Sequence, residues 1–172
     1  MKYKSNIFSW FFGKTSRTLE DIFKLIVASE IHMIELMDEE RLALHSNHGL
    51  FQMSGLLSLS ETLPFMPSSK FCHSFSTNNI QKMLKSHFFQ DGFHKEHSPM
   101  YHMFMTNYLT QLRLAGWLGD NAALHKLADK AEETASWYVL PDQTILPLGD
   151  SKPNYPLKSA FLFKINNHEK KK

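Results

Sequence analysis

Residues 18–38 read TLEDIFKLIVASEIHMIELMD, and the spacing of the apolar residues in this stretch decides the fold class. Ile22, Phe23, Ile26, Val27, Ile31, Ile34 and Met37 recur at steps of three and four, the period of one helix face and not the two-residue alternation of a strand. Thr18 and Asp21 stand at capping-box spacing, with Asp in place of the usual Glu or Gln. A helix is therefore expected from Thr18 to about Asp38.

The same period returns in the rest of the chain. A second helix is expected from Ser46 or Asn47, either of which can cap it, carrying Leu50, Phe51, Met53, Leu56, Leu57 and Leu59 until Pro64 ends it. Gly49 and Gly55 inside it read as points where another element approaches closely. Pro64, Pro67, Ser68 and Ser69 make a loop. A third helix is expected from Asn79 to about Phe89, with Ile80, Met83, Leu84, His87 and Phe88 on its buried side, and Asp91-Gly92 then turns the chain. Ser98-Pro99 is a start signal, a capping hydroxyl followed by a residue suited to the first helical position, for a fourth helix to about Leu118. A fifth runs from Asn121 through Leu124, Leu127, Ala128 and Ala131 to Trp137, before Pro141 forbids continuation. From Asp142 to Pro156 the composition is that of a loop, and Ala160 to Ile165 could form a short strand. No fixed-period repeat is present. The expectation is an all-α fold.

Length and composition bound what such a chain can do. With 172 residues and 42% hydrophobic content, folding can bury roughly 70% of the extended chain's surface, enough for a core. Lys and Arg number 19 against 17 for Asp and Glu, a net charge of +2 too small to imply nucleic-acid binding. The single cysteine, Cys72, excludes an internal disulfide framework and a multi-thiolate site. No stretch approaches the roughly 18 to 20 apolar residues that span a bilayer. Ile7 to Phe12 is apolar and flanked by Lys2, Lys4, Lys14 and Arg17, but is too short for a secretory signal. As it stands the chain is expected to be cytoplasmic, or periplasmic as part of a secreted parent. His168 to Lys172 form a charged tail.

Two helix starts carry the chemistry. Asn47 and His48 open the second helix, while Tyr101 and His102 fall in the first turn of the fourth. If successive helices pack antiparallel, the second and fourth point the same way and their N-termini share a rim that favours an anionic ligand. Asn supplies an amide donor, His a donor or a titrating imidazole, and Tyr a phenol that can move a proton. The plainer reading makes Asn47 a cap, Tyr101 core and the histidines surface.

His94, Glu96, His97 and His102 invite a metal reading, since imidazole and carboxylate ligate zinc. Their linear spacing does not favour it. His94 and Glu96 match the H-x-E of zinc deaminases, yet that signature requires a later cysteine pair. Neither a metal nor another cofactor is expected. The plainer alternative is a polar loop ordered by Glu96. Phosphate-binding glycine loops and the G-x-S-x-G elbow are both missing.

Read together, the segments resemble a known family. His45-Ser46-Asn47-His48-Gly49, followed by Gln52 and Gly55-Leu56-Leu57, resembles the HSNHG element of heparinase II/III-like polysaccharide lyases. Asp91-Gly92, Glu96 and Ser98-Pro99-Met100-Tyr101-His102 resemble their acidic turn followed by E-x-S-P-x-Y-H. Pro141, Leu146-Pro147 and Leu148-Gly149-Asp150-Ser151 are similar to the following P-x-G-x-LP-x-x-GDS stretch, with Gln143 and Thr144 departing from the usual glycine.

The resemblance implies a bacterial lyase that cleaves uronic-acid polysaccharide, of the alginate or heparin type, by β-elimination. Asn47 and His48 would neutralise the uronate carboxylate, Tyr101 would be the proton shuttle, and His45, Glu96 and His102 would contact substrate. It further implies an incomplete (α/α) toroid of antiparallel helix hairpins, the C-terminal part of a larger toroid that in these lyases is followed by a β-sandwich. Residues 1–17 then read as an aromatic and basic N-terminal segment, 18–151 as partial toroid, and 152–172 as a divergent, loose tail. Such a chain would be inactive alone, its partners being an acidic polysaccharide and a separately encoded remainder of the lyase, with no nucleic acid and no membrane span. The competing class is a non-enzymatic helical interaction module whose apolar faces bind partner helices.

Overall fold

The computed structural model describes residues 19–157. The Thr18 cap, the segment 1–17, the strand at Ala160–Ile165 and the tail beyond Leu157 lie outside the described residues. Within them the fold is all-α. Five helices follow in order: α1 (Leu19–Leu36), α2 (Asn47–Thr62), α3 (Ser69–His87), α4 (Pro99–Leu114) and α5 (Ala122–Ala135), with a 3-10 turn at Ser136–Tyr138. Extended pairing among the described residues is confined to isolated bridges, Phe88 with His94, Val139 with Ile145 and Thr144 with Pro156. No described helix is long and apolar enough to cross a membrane. The chain divides into two compact units, Met1–Asn79 and Ile80–Lys172, with the boundary inside α3.

In the first unit α1 packs on α2. The apolar stripe that announced α1 is largely unburied among the described residues: Met33 is fully buried, whereas Phe23, Ile31 and Ile34 are each more than half exposed. α2 supplies the core, with Leu50, Met53, Leu56 and Leu57 burying at three- and four-residue steps. Of the two glycines read as close-approach points, Gly49 is buried, but Gly55 is exposed and a Cβ there would meet no described atom within 4 Å. That reading of Gly55 is corrected.

The start of α3 is also corrected, from Asn79 to Ser69. Its first half carries Ser74, Ser76, Thr77, Asn78 and Asn79, residues that favour caps and turns over helix interiors. Their polar groups bond within the helix instead: the Ser76 hydroxyl donates to the Cys72 carbonyl at 2.7 Å, and the Asn79 amide to the Phe75 carbonyl at 3.0 Å. Ser69, Cys72, Ser76, Ile80, Met83 and His87 are all buried, one continuous stripe at helical spacing. Packing overrides propensity.

In the second unit α4 packs on α5. Arg113 pairs with Asp129 and Glu132, Thr110 with Glu132, and His102 with Thr134, so positions descending α4 meet positions ascending α5. The two helices are antiparallel. α4 stops at Leu114, four residues before the expected Leu118, in a Schellman turn: Gly116 adopts φ +79, its N–H donates to the Arg113 carbonyl, and the Trp117 N–H donates to the Leu112 carbonyl. Asn121 caps α5 as expected, accepting from the Leu124 N–H at 3.3 Å. The helix ends at Ala135, and Ser136 to Tyr138 tighten into the 3-10 turn. The loop that follows folds back with Ile145 fully buried against Met103 and Ala135.

Candidate active site

The two parts of the candidate site belong to different units. In the first unit, residues Met37–Ser46 form a run of tight turns leading into α2. Gln52 fastens this run: its Oε1 accepts from the Ala43 N–H at 3.2 Å and its Nε2 donates to the Arg41 carbonyl at 3.3 Å. Ser46 occupies the N-cap position with extended backbone, yet its hydroxyl turns away to the Ala43 carbonyl and caps nothing. Hence the N-cap side chain leaves the positive end of α2 uncovered, and there Asn47 is half-buried and His45 and His48 are exposed.

The start of α4 is built differently. Pro99 has no N–H, the Met100 N–H donates to Ser151 Oγ at 2.9 Å, and the Tyr101 N–H reaches Ser98 Oγ at 3.5 Å. Ser98 and Ser151, both buried, also bond each other at 3.2 Å. The first-turn donors are therefore occupied within the protein. The start of α4 offers a ligand the half-buried Tyr101 side chain and not its backbone. Ser151, which the sequence showed only as the close of the GDS stretch, is a second cap on α4.

Ahead of α4 the chain makes a hairpin around Asp91-Gly92. The Phe89 N–H donates to the Phe93 carbonyl at 2.8 Å and the Lys95 N–H to the His87 carbonyl at 2.9 Å, while Asp91 Oδ1 accepts from the Phe93 N–H. Gly92 sits at φ +96 with its α-carbon against the backbone of Lys130 on α5. The Pro141 loop closes too. Gln143 takes the left-handed conformation, φ +64, in the place where the resembled pattern has glycine, and its N–H donates to the Leu140 carbonyl. For a non-glycine residue this costs about 1 to 2 kcal/mol.

His102 lies inside this construction and is 1% exposed. Its Nδ1 accepts from the His94 N–H at 3.2 Å, so the neutral ring carries its proton on Nε2, which donates to the Ala131 carbonyl at 3.0 Å. The ring thus ties the hairpin to α5 through both nitrogens, with Tyr138 edge-on at 5.2 Å between centroids. Glu96, by contrast, is exposed. An open groove of about 470 Å³ between the end of α3 and α5, with Lys85, Lys126 and Lys130 on its walls, contains none of the candidate catalytic or substrate-binding residues.

A family model described as Heparinase II/III N-terminus matches residues 1–167. The chain belongs to the heparinase II/III family. No curated protein and no solved structure matches it. Membership relates this heparinase II/III-family chain to the polysaccharide lyases and points to a polysaccharide as its ligand.

Burial lowers the His102 imidazole to about 4, against the pull of its bond to Ala131. Burial likewise lowers His94 to about 4, followed by the nearby His87, His102 and His97. Unfolding returns each ring to about 6.5, so the unfolded chain binds more protons in acid. Stability is full above about pH 6.5, is lost as pH falls, and the loss from each group is complete near pH 4. For His102 alone it amounts to about 3 kcal/mol, of which about 2 kcal/mol is gone by pH 5. Urea midpoints at pH 7 and pH 5 measure it, and equal stability at both would mean that His102 protonates as readily folded as unfolded.

Proposed function

We propose that this heparinase II/III-family chain supplies the carboxylate-binding and proton-transfer groups of a lyase acting on uronic-acid polysaccharide. The observation that carries this reading is the start of α2, where Asn47, His48 and His45 surround a helix N-terminus that the side chain of its N-cap residue, Ser46, does not cap. Hydrogen bonds from Asn47 and His48 to the uronate carboxylate stabilise the enolate that forms when C5 loses its proton. In its deprotonated form the Tyr101 oxygen takes the C5 proton, the C4–O bond then breaks as the C4–C5 double bond forms, and the same oxygen returns that proton to the leaving oxygen. Glu96 and His45 meet sugar hydroxyls. His102, next in the chain to Tyr101, is held through both nitrogens and so fixes the turn that carries the phenol.

The isolated 172-residue chain is expected to bind uronate polymer but to show little or no turnover. His45 and His48 stand exposed, and a carboxylate held on one open face leaves C5 and the leaving oxygen unrestrained. Such positioning can supply on the order of 7 to 11 kcal/mol. Incubation with alginate, heparan-type and hyaluronan-type polymers, followed by ultraviolet absorbance of the unsaturated product and by binding measurements, tests both statements. Affinity lost in His48→Ala is the expected result. Absence of affinity for every uronan removes the reading, and clear turnover lost in His48→Ala would make the chain a complete enzyme.

A second reading, a helical interaction module, draws on the exposed Phe23, Ile31 and Ile34 of α1. Specific protein association without glycan affinity would favour it.

A further inference from the structure

The hairpin around Asp91-Gly92 brings together three groups that are far apart along the chain. His87 closes α3, and the backbone bond from the Lys95 N–H to its carbonyl sets it beside His94 and Glu96 on the returning arm. The two rings lie 5.7 Å apart between centroids and 26° from parallel. One ligand atom from each of His87, His94 and Glu96 falls within 4.8 Å of the others.

His94 is the decisive residue. It is 2% exposed, and neither Nδ1 nor Nε2 has a hydrogen-bond partner. A buried polar atom without a partner is destabilising, and here one ring carries two. Its own N–H is used, by His102, so the backbone is satisfied while the imidazole is not. Buried imidazoles with both nitrogens open are rare unless something else takes a lone pair.

We propose that His87, His94 and Glu96 bind a divalent transition-metal ion of the zinc class. Two imidazole nitrogens and a carboxylate oxygen are a borderline donor set, suited to zinc or cobalt over calcium or magnesium, which prefer oxygen alone. In a tetrahedral zinc site adjacent donors stand about 3.3 Å apart, given bonds of about 2.0 to 2.1 Å. The present spread exceeds that, and the exposed Glu96 is the group able to close it, since its carboxylate faces solvent and not the core. Bound through one oxygen, Glu96 keeps the other for a sugar hydroxyl. Three protein ligands leave the fourth position open. The ion would fasten the hairpin to the end of α3 just ahead of Tyr101, so the inference goes beyond the proposed lyase chemistry and does not depend on it.

Zinc titration of the full 172-residue chain, stripped with chelator and in the absence of polysaccharide, tests it. One zinc per chain is expected, raising the melting temperature, with cobalt giving the visible absorption of a four-coordinate site and millimolar-range magnesium or calcium failing to compete. Losing an outer-shell partner weakens metal sites 10- to 100-fold, so His94→Ala should weaken zinc binding by at least about 100-fold. Glu96→Gln changes only an exposed side chain, keeps the fold, and should weaken binding at least about tenfold. No saturable binding to the wild-type chain overturns the proposal. Binding that is unchanged in Glu96→Gln also overturns it, because the ion then sits on other histidines. Because the readout is metal alone, failure here leaves the uronate-binding result untouched, and the reverse holds.

Discussion

Tyr101→Phe, introduced into a preparation that contains this chain and cleaves uronan, should lower turnover by about 10² to 10⁴-fold, the usual loss when one proton-transfer partner is removed. That is about 3 to 5 kcal/mol on the barrier. The substitution takes only the hydroxyl. The ring remains half-buried on the first turn of α4, and its backbone bond to Ser98 does not involve the side chain. Stability should therefore hardly change, and the loss should fall on kcat and not on KM, because the proton moves in the transition state and not on binding. Steady-state assays of the unsaturated product, paired with urea unfolding, separate the two. Near-wild-type turnover would assign Tyr101 to packing.

Gly92→Ala should destabilise the second unit by about 4 kcal/mol. A Cβ at this position would stand 2.6 Å from the Lys130 carbonyl carbon and 2.7 Å from its oxygen, and helix backbone cannot step aside as a flexible side chain can. The φ of +96 adds strain for any L residue. Backbone strain of about 1 to 3 kcal/mol joins an overpacking cost of similar size. Since domains are stable by only about 5 to 15 kcal/mol, much of the margin would go. Gly55→Ala is the matched control: the added methyl meets no described atom, and replacing a mid-helix glycine should stabilise by about 0.5 to 1 kcal/mol. Urea midpoints for both variants read the contrast, and equal small effects would mean that the Asp91-Gly92 turn does not press on α5.

The all-α class was legible because apolar residues in α1, α2, α4 and α5 keep a helical period and because Ser98-Pro99 and Asn121 are clear start signals. The first half of α3 was not, since its buried stripe is made of Ser69, Cys72 and Ser76, two hydroxyl residues and one small thiol that together give only a weak hydrophobic period. Asn47, His48 and Tyr101 became candidates through helix starts and a three-element resemblance. The His87 to His94 juxtaposition was missed for a different reason. Reading His94, Glu96, His97 and His102 as a linear cluster ignores that an Asp-Gly hairpin pairs residue 87 with residue 95, and it was this turn geometry that could have revealed it. Nor could local pattern show that Ser151 belongs to α4, 51 residues upstream.

That long-range cap has a kinetic side. The first turn of α4 can form early from local contacts, but its Met100 donor is satisfied only after the chain has been made through Ser151 and the intervening α5 and Pro141 loop have folded back. Closing so long a loop is entropically slow, although its cost rises only gradually with length. The first turn of α4 is therefore completed later than its local bonds alone would allow, only once Ser151 has been made and brought back to Met100.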